Sequence, residues 1–207
     1  MTPGISPFEP IAARYAALWS DTPRGRAQRQ QVWRETDPLF RSGDRIVDLG
    51  CGPGEDAVHL MSRGVSVLGI DSALGMVEIA RTRGVDAQHL AIEEAASLPG
   101  AFDGAISNFG ALNCVADLGR LSASLARLIR PQGRLALCVM SRFCWRGDWK
   151  HLPQRWSGHA RWRGIDVHYR TTRSIARAFA PHFRMQGRVS IGRGDHQLLV
   201  FARRPEC

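Results

Sequence analysis

The sequence predicts an α/β domain: a mostly parallel seven-stranded sheet, helices on both faces, and an antiparallel last strand. Three observations carry this. Between residues 45 and 140, short apolar runs of strand length alternate with amphipathic stretches of helix length, the pattern of a parallel sheet built from βα units. Several of the predicted strands and helices end in glycine, which stops an element cleanly. After residue 187 two apolar strands, "RVSIG" and "QLLVFAR", are joined by the tight turn "RGD", so the last strand must run backwards.

Taken in order, residues 1–20 set Phe8, Ile11, Tyr15, Leu18 and Trp19 at helix-like spacing, and a polar helix follows over 24–40. "RIVDLG" (45–50) is the first strand, and "EDAVHLMSRG" a helix stopped by Gly64. "VSVLGID" (65–71) is the second strand, "SALGMVEIARTRG" its helix, and "VDAQHLAIE" a weaker third strand. "FDGAISNFG" (102–110) runs into a loop, and Leu118, Leu121, Leu125, Leu128 and Ile129 then form a helical stripe ended by "RPQG". "RLALCVM" (134–140) is a buried strand, and "TTRSIARAFAPHF" a short helix cut near Pro181. Ligands of such sheets lie at the carboxyl ends of the strands, so the loops after 50, 71, 93, 108 and 140 should form the site.

A chain of 207 residues fills one core, and we expect a single domain over 1–207. Within it, 1–40 is expected to be a helical cap and 142–170 an insertion. No apolar run approaches the roughly 20 residues of a membrane span. "MTPGISPFEP" lacks both a basic start and an apolar stretch, so a cytoplasmic protein without membrane contact is expected. Five scattered cysteines without a CxxC pair suggest neither a disulfide framework nor a metal site. The net charge of +9 invites a nucleic-acid reading. Lys150 is the only lysine, however, and the arginines are spread, a bias that GC-rich coding produces on its own. A solvated basic surface and an anion-attracting one both stay open.

"VDLGCGPG" (47–54) carries the chemistry. A strand delivers Asp48, and the chain turns through Gly50, Gly52 and Gly54 before a helix, as close backbone approach to a ligand requires. The spacing is G-x-G-x-G, not the G-x-G-x-x-G of dinucleotide sites. Asp48 before the loop, with Glu55 and Asp56 after it, would repel a pyrophosphate and suit a ligand bearing an ammonium and a sulfonium. Asp71 ends the second strand, where a carboxylate accepts from both ribose hydroxyls; its other reading is a helix N-cap, a role open equally to Ser72.

With these residues in place, the chain resembles class I S-adenosylmethionine-dependent methyltransferases of the small-molecule group that includes ubiquinone- and menaquinone-pathway enzymes. "VDLGCGPGEDAVHL", "VLGIDSALGMVEIAR", "EEAASLP-GAFDGAISNFGALNCV" and "LARLIRPQGRLALCVM" match its successive motifs in order, over roughly residues 8–140. The resemblance implies a Rossmann-like fold, S-adenosylmethionine as cofactor and S-adenosylhomocysteine as product. It implies that Asp48, Gly50 and Gly52 line the methionine moiety, with Gly54 shaping the loop. Asp71 would hold the ribose, Ser72 and Met76 would lie against the adenine, and Glu94 or the adjacent Glu93 would read its amino group. Asn108 would lie near the sulfonium, and Tyr15 would fold over the cofactor or simply pack in the core. "SNFG" (107–110) lacks the prolines of the Asn/Asp-Pro-Pro-aromatic motif, which counts against methylation of exocyclic amines.

Methyl transfer from a sulfonium needs alignment and exclusion of water, and a base only where the nucleophile must lose a proton. His151, His159, His168 and Tyr169 are the weak candidates for that base; each is equally read as a surface or packing residue. Asn113 either orients a substrate or caps the following helix. Trp145, Trp149, Trp156 and Trp162, four of six tryptophans, fall beside Arg142, Arg146, Arg155, Arg161 and Arg163. They suit a substrate lid, aromatic for stacking and basic for an anion, and equally a dimer contact or plain packing. The expected protein is therefore a methyltransferase, monomer or homodimer, acting on O, N or C of a small aromatic or anionic metabolite. A tRNA or rRNA methyltransferase and a cofactor-binding inactive partner protein are the alternatives.

Overall fold

A computed structural model describes residues 6–142 and 157–205. Strand β1 (Arg45–Leu49) lies at the centre of the sheet, between β2 (Ser66–Asp71) and β4 (Phe102–Ser107). Adding β3 (Asp86–His89), β5 (Ile129–Met140), β8 (Phe183–Ile191) and β9 (His196–Arg203) gives the order β3-β2-β1-β4-β5-β9-β8. The strands β1 to β5 pair in parallel, and β9 inserts antiparallel to both its neighbours, β5 and β8. The short pair β6 (His159–Trp162) and β7 (Ile165–His168) forms a separate antiparallel hairpin.

Alternation along the strands sends successive side chains to opposite faces. Val47 and Leu49 enter the layer under α4 (Leu118–Leu128) and α5 (Thr172–Phe179), with Leu121, Leu125, Ile175 and Phe179. Ile46 enters the opposite layer with Val32, Ala57, Leu60, Val77 and Ala80. That layer is covered by α1 (Pro23–Thr36), α2 (Glu55–Ser62) and α3 (Leu74–Thr82). Asp48 shares the parity of Ile46 and so points toward α1 and α2, at 1% exposure.

Several boundaries differ from expectation. The opening segment is a 3-10 turn (Glu9–Arg14) and a π turn (Ala16–Ser20), not one amphipathic helix. Pro7 and Pro10 interrupt regular hydrogen bonding at its start, and Leu18 and Trp19 end up exposed while Ile11 is buried. The helix expected over 24–40 stops at Thr36, and Pro38 sits in a separate 3-10 turn. "RPQG" persists as a bulge within β5: Phe102 pairs with Ile129 but Gly104 already with Arg134, and Gln132 takes φ +66°. β8 starts at Phe183, earlier than expected, because its N-terminal half zips onto the end of β9.

Candidate functional site

The glycine loop hangs on β2. The amides of Gly50 and Cys51 both donate to the Ile70 carbonyl, at 2.8 and 2.9 Å. All three loop glycines have positive φ, but for different reasons. A Cβ on Gly50 would meet the Ala111 Cβ at 2.5 Å, and one on Gly54 would press on Val85 and Ala80 at 3.0 and 3.1 Å. A Cβ on Gly52 would meet nothing within 4 Å. Gly50 and Gly54 thus answer to packing, and Gly52 alone borders open space.

Asp71 lies beside it. One carboxylate oxygen accepts from the Gly52 N–H and the other from the Ala73 N–H, each at 2.9 Å. Asp71 thus supports the turn leading into α3, whose N-cap position is Ala73, and it keeps the second lone pair of each oxygen for another donor. Burial raises its pKa, and the two amide donors oppose that rise. Ser72 contacts the hydroxyl of Ser6 at 3.2 Å, and its carbonyl is 3.0 Å from the His89 ring. Met76 is buried with Ala12 and Ala73, and Phe8 and Tyr15 of the opening segment pack on them. Burial pushes the Tyr15 hydroxyl up to about 12. The Glu9 carboxylate accepts from the Gly75 N–H at 3.0 Å, fastening the opening segment onto α3.

Glu93 and Glu94 are exposed on a 3-10 turn (Ile92–Ser97), where Glu94 accepts from the Ala91 N–H at 3.2 Å. Asn108, buried at the end of β4, keeps a side-chain oxygen with no partner. The next residue, Phe109, takes φ +53°, a costly conformation for a bulky side chain and a mark of a constrained loop.

The acidic residues around the loop divide. Asp56 does not face a ligand: it accepts from Arg29 at 2.5 Å and from the Trp33 indole at 2.7 Å. Glu55 lies 3.8 Å from Arg29 and 3.6 Å from Arg83. Asp48 and Glu55 each keep a buried carboxylate oxygen without a hydrogen-bond partner, although Glu55 has the two arginines within ion-pair distance. Arg29 and Trp33, one helical turn apart on α1, carried no sequence signal beyond the presence of a tryptophan on a polar helix.

Asn113 does not cap α4. Its amide donates to the carbonyls of His168 and Met140 at 2.8 and 3.3 Å, and its oxygen accepts from the Met140 N–H. It ties the hairpin to the end of β5, while Asp117 caps α4. In the hairpin, the register puts Ala160, Trp162, Ile165 and Val167 on one face. His159, Asp166 and His168 share the other, with His159 3.1 Å from Asp166. The Tyr169 N–H donates to the Gly158 carbonyl at 2.8 Å. Trp162 packs against Phe8, with ring centroids 5.2 Å apart. Trp145, Trp149, Trp156 and His151 lie outside the described residues. Among the described residues, no cluster of His, Cys, Asp and Glu could hold a metal, and no helix is long and apolar enough to cross a membrane.

A family model described as "Methyltransferase domain" matches residues 24–182, and the chain belongs to that family. Its Rossmann-like fold is shared with solved S-adenosylmethionine-dependent methyltransferases. Among relatives, a demethylmenaquinone methyltransferase of Corynebacterium kroppenstedtii is 34% identical over 55% of this chain and 48% of its own. One of Beutenbergia cavernae is 33% identical over 67% of this chain and 58% of its own. The chain thus spans about half the length of these curated relatives. The 1,6-didemethyltoxoflavin-N1-methyltransferase of Burkholderia thailandensis superposes with a TM-score of 0.65 at 22% identity, covering 100% of this chain and 93% of that one.

Proposed function

We propose that this chain is an S-adenosylmethionine-dependent methyltransferase acting on an O, N or C nucleophile of a small aromatic or anionic metabolite in a biosynthetic pathway. The observation that carries the reading is the loop of β1. Gly52 borders open space, Asp71 has lone pairs to spare beside it, and Asp48 presents a buried oxygen without a hydrogen-bond partner. These residues fit the cofactor: Asp71 suits the ribose diol, and Asp48 and Asn108 suit the cationic amino-acid end. The cofactor, when bound, supplies a methyl group already activated on a sulfonium.

The chain's own part is then alignment and exclusion of water. The opening segment, fastened by Glu9 to α3 and by Phe8 to Trp162, covers one side. In this reading the region 142–170 serves as the substrate lid. His168 shares the hairpin face of His159 and Asp166, opposite Trp162. The reading therefore assigns no base, and it favours substrates that bind already ionised, which an arginine-bearing lid attracts. The quinone-pathway names of the relatives suggest hydroxylated aromatic rings.

The test is calorimetric and catalytic. S-adenosylhomocysteine should raise the Tm, and S-adenosylhomocysteine should be released from S-adenosylmethionine in the presence of demethylmenaquinone or a soluble naphthol analogue. Turnover only with tRNA, in a strongly salt-dependent manner, would replace the substrate class; binding without turnover on any of them would favour an inactive partner.

Two further outcomes follow from the geometry. Gly50→Ala should lower the Tm more than Gly52→Ala, whereas Gly52→Ala, costing about 1–2 kcal/mol of backbone strain, should weaken cofactor binding beyond that loss. The reverse ranking, by calorimetry and titration, would make Gly52 a packing residue. Trp162→Ala should raise the KM for the methyl acceptor severalfold while changing cofactor Kd less than twofold, roughly as expected for loss of an aromatic contact. An equal change in both would move Trp162 from the lid to the cofactor site.

A further inference from the structure

The hairpin of β6 and β7 is a stiff unit. Its turn, Arg163–Gly164, takes φ +48° and +89°, the left-handed pair that the tightest hairpins use. At the turn end Trp162 packs on Phe8, which in turn packs on Ala12, Ala73 and Met76 at the start of α3. At the base the Asn113 amide holds the His168 carbonyl at 2.8 Å. A stiff ribbon held at both ends takes its tilt from those ends, and the base is the end fixed by hydrogen bonds of a buried side chain.

Asn113 lies on the 3-10 turn Ala111–Cys114, just past the loop of Asn108 and Phe109, and is 3% exposed. The pairing of β4 with β5 ends at Ser107 opposite Leu137, before Met140 is reached. The Asn113 amide serves Met140 instead: its oxygen accepts the Met140 N–H at 2.8 Å, and its nitrogen donates to the Met140 carbonyl at 3.3 Å. The same nitrogen also donates to His168, so both donors of the amide are spent on backbone. One side chain thus grips the strand that leads into the 142–170 region and the strand that closes it. Arg170, just past β7, adds a second tie: one terminal nitrogen donates to the carbonyls of Val115 and Ala116, both at 2.7 Å.

We propose that Asn113 is a positioning residue for the methyl acceptor, with Arg170 as its second tie. By gripping Met140 and His168 together it fixes the hairpin against the loop after β4, and the fit of the acceptor depends on it although it touches neither acceptor nor cofactor. This rests on the reading of 142–170 as the substrate lid. A misplacement of about 1 Å can cost about a hundredfold in rate, and a tie at the base of a stiff hairpin controls a displacement of that kind. The seat of the cofactor is spared, because the glycine loop hangs on the Ile70 carbonyl and on Asp71, neither of which bonds to Asn113 or Arg170.

Hydrogen exchange and steady-state kinetics on the full chain, with a soluble naphthol analogue of demethylmenaquinone as acceptor, test this together. Asn113→Ala should speed exchange of the hairpin amides about tenfold or more, the weight of one or two lost hydrogen bonds. It should raise the KM for the naphthol about fivefold or more and leave the Kd of S-adenosylhomocysteine within about twofold. Arg170→Met should shift exchange and KM in the same direction by a smaller factor, and Arg170→Lys, which can still donate to one carbonyl, should recover part of the KM. A merely structural role would lower the Tm and the active fraction, and so the apparent kcat, with the KM unmoved. Should Asn113→Ala fail to fold, the two Arg170 variants decide by the same readouts. Unchanged hairpin exchange, or faster exchange with an unchanged KM, overturns the proposal. Trp162→Ala separates this from failure of the lid reading: if it raises the KM and Asn113→Ala does not, the positioning role alone falls, and if neither does, the lid reading falls too. No turnover of the naphthol by wild type overturns the acceptor class, and the proposal with it.

Discussion

Asp71→Ala is expected to abolish the rise in Tm that S-adenosylhomocysteine causes in the wild-type chain and to weaken its binding at least about a hundredfold. Two effects combine at this residue. Its carboxylate is the acceptor offered to a ribose diol, and hydrogen bonds to a charged acceptor are worth about 1.5–3 kcal/mol each. The same oxygens also hold the Gly52 and Ala73 amides, so the substitution frees the loop as well as the ligand. Asp71→Asn separates them: one acceptor oxygen remains, an amide donor replaces the other, and one of the two backbone bonds must be lost. Binding to Asp71→Asn should fall between wild type and Asp71→Ala, with a stability loss of about 1–2 kcal/mol by urea unfolding in either variant. Unchanged affinity in Asp71→Ala, read by calorimetric titration, would remove the ribose role and leave only the structural one.

What the sequence disclosed and what it hid divide along a physical line. The strands, the glycine loop and Asp71 were legible because each depends on local rules: alternation, helix periodicity, and the few residues that tolerate positive φ at a strand end. Gly52 could be recognised as a loop glycine, but its difference from Gly50 depends on Ala111, sixty residues away. Arg29 and Trp33 were invisible for the same reason, since nothing near them in the chain announces that Asp56 will sit opposite. Their pairing changes the charge reading of the site: of the three acidic residues flanking the loop, Asp56 is neutralised by Arg29, Glu55 lies within ion-pair distance of Arg29 and Arg83, and Asp48 keeps an oxygen without a hydrogen-bond partner. Asn113 read as a cap or a substrate contact because asparagine before a helix usually is one. Its actual bonds, to His168 and Met140, join segments that the sequence sets far apart. In the opening segment the hydrophobic spacing favours one helix, whereas Pro7 and Pro10 oppose it. The structure gives the decision to backbone hydrogen bonding.

Cofactor affinity should rise with pH, with a proton released on binding, and Asp48→Asn should flatten that dependence. Asp48 is 1% exposed, and burial holds its carboxyl well above the usual carboxylate range. Asp56 from α2 pushes it further in the same direction, Arg29 from α1 opposes, and Asp71 and Glu55 add smaller upward contributions. In the free protein the sign is therefore that of a raised carboxyl. Below its unfolded value, about 3.9, the group is protonated in both states and costs nothing. As pH climbs toward the raised folded value, the unfolded chain sheds the proton first and the folded state loses stability; above that value the loss is complete. An ammonium seated against Asp48 reverses this, because it stabilises the charged form and pulls the proton off. Across the window between the bound and free values, affinity should gain up to about tenfold per pH unit. Asp71, also raised by burial, contributes in the same direction, so the wild-type slope alone does not isolate Asp48. Titrations in buffers of different ionisation enthalpy count the protons released, and the difference between wild type and Asp48→Asn is the share that belongs to Asp48. The variant should bind more weakly at neutral pH while the free protein becomes more stable there, because folding no longer has to raise the pKa of a buried carboxyl. Equal proton release in both proteins would mean that the ammonium sits elsewhere, and the unpaired oxygen of Asp48 would then need another donor.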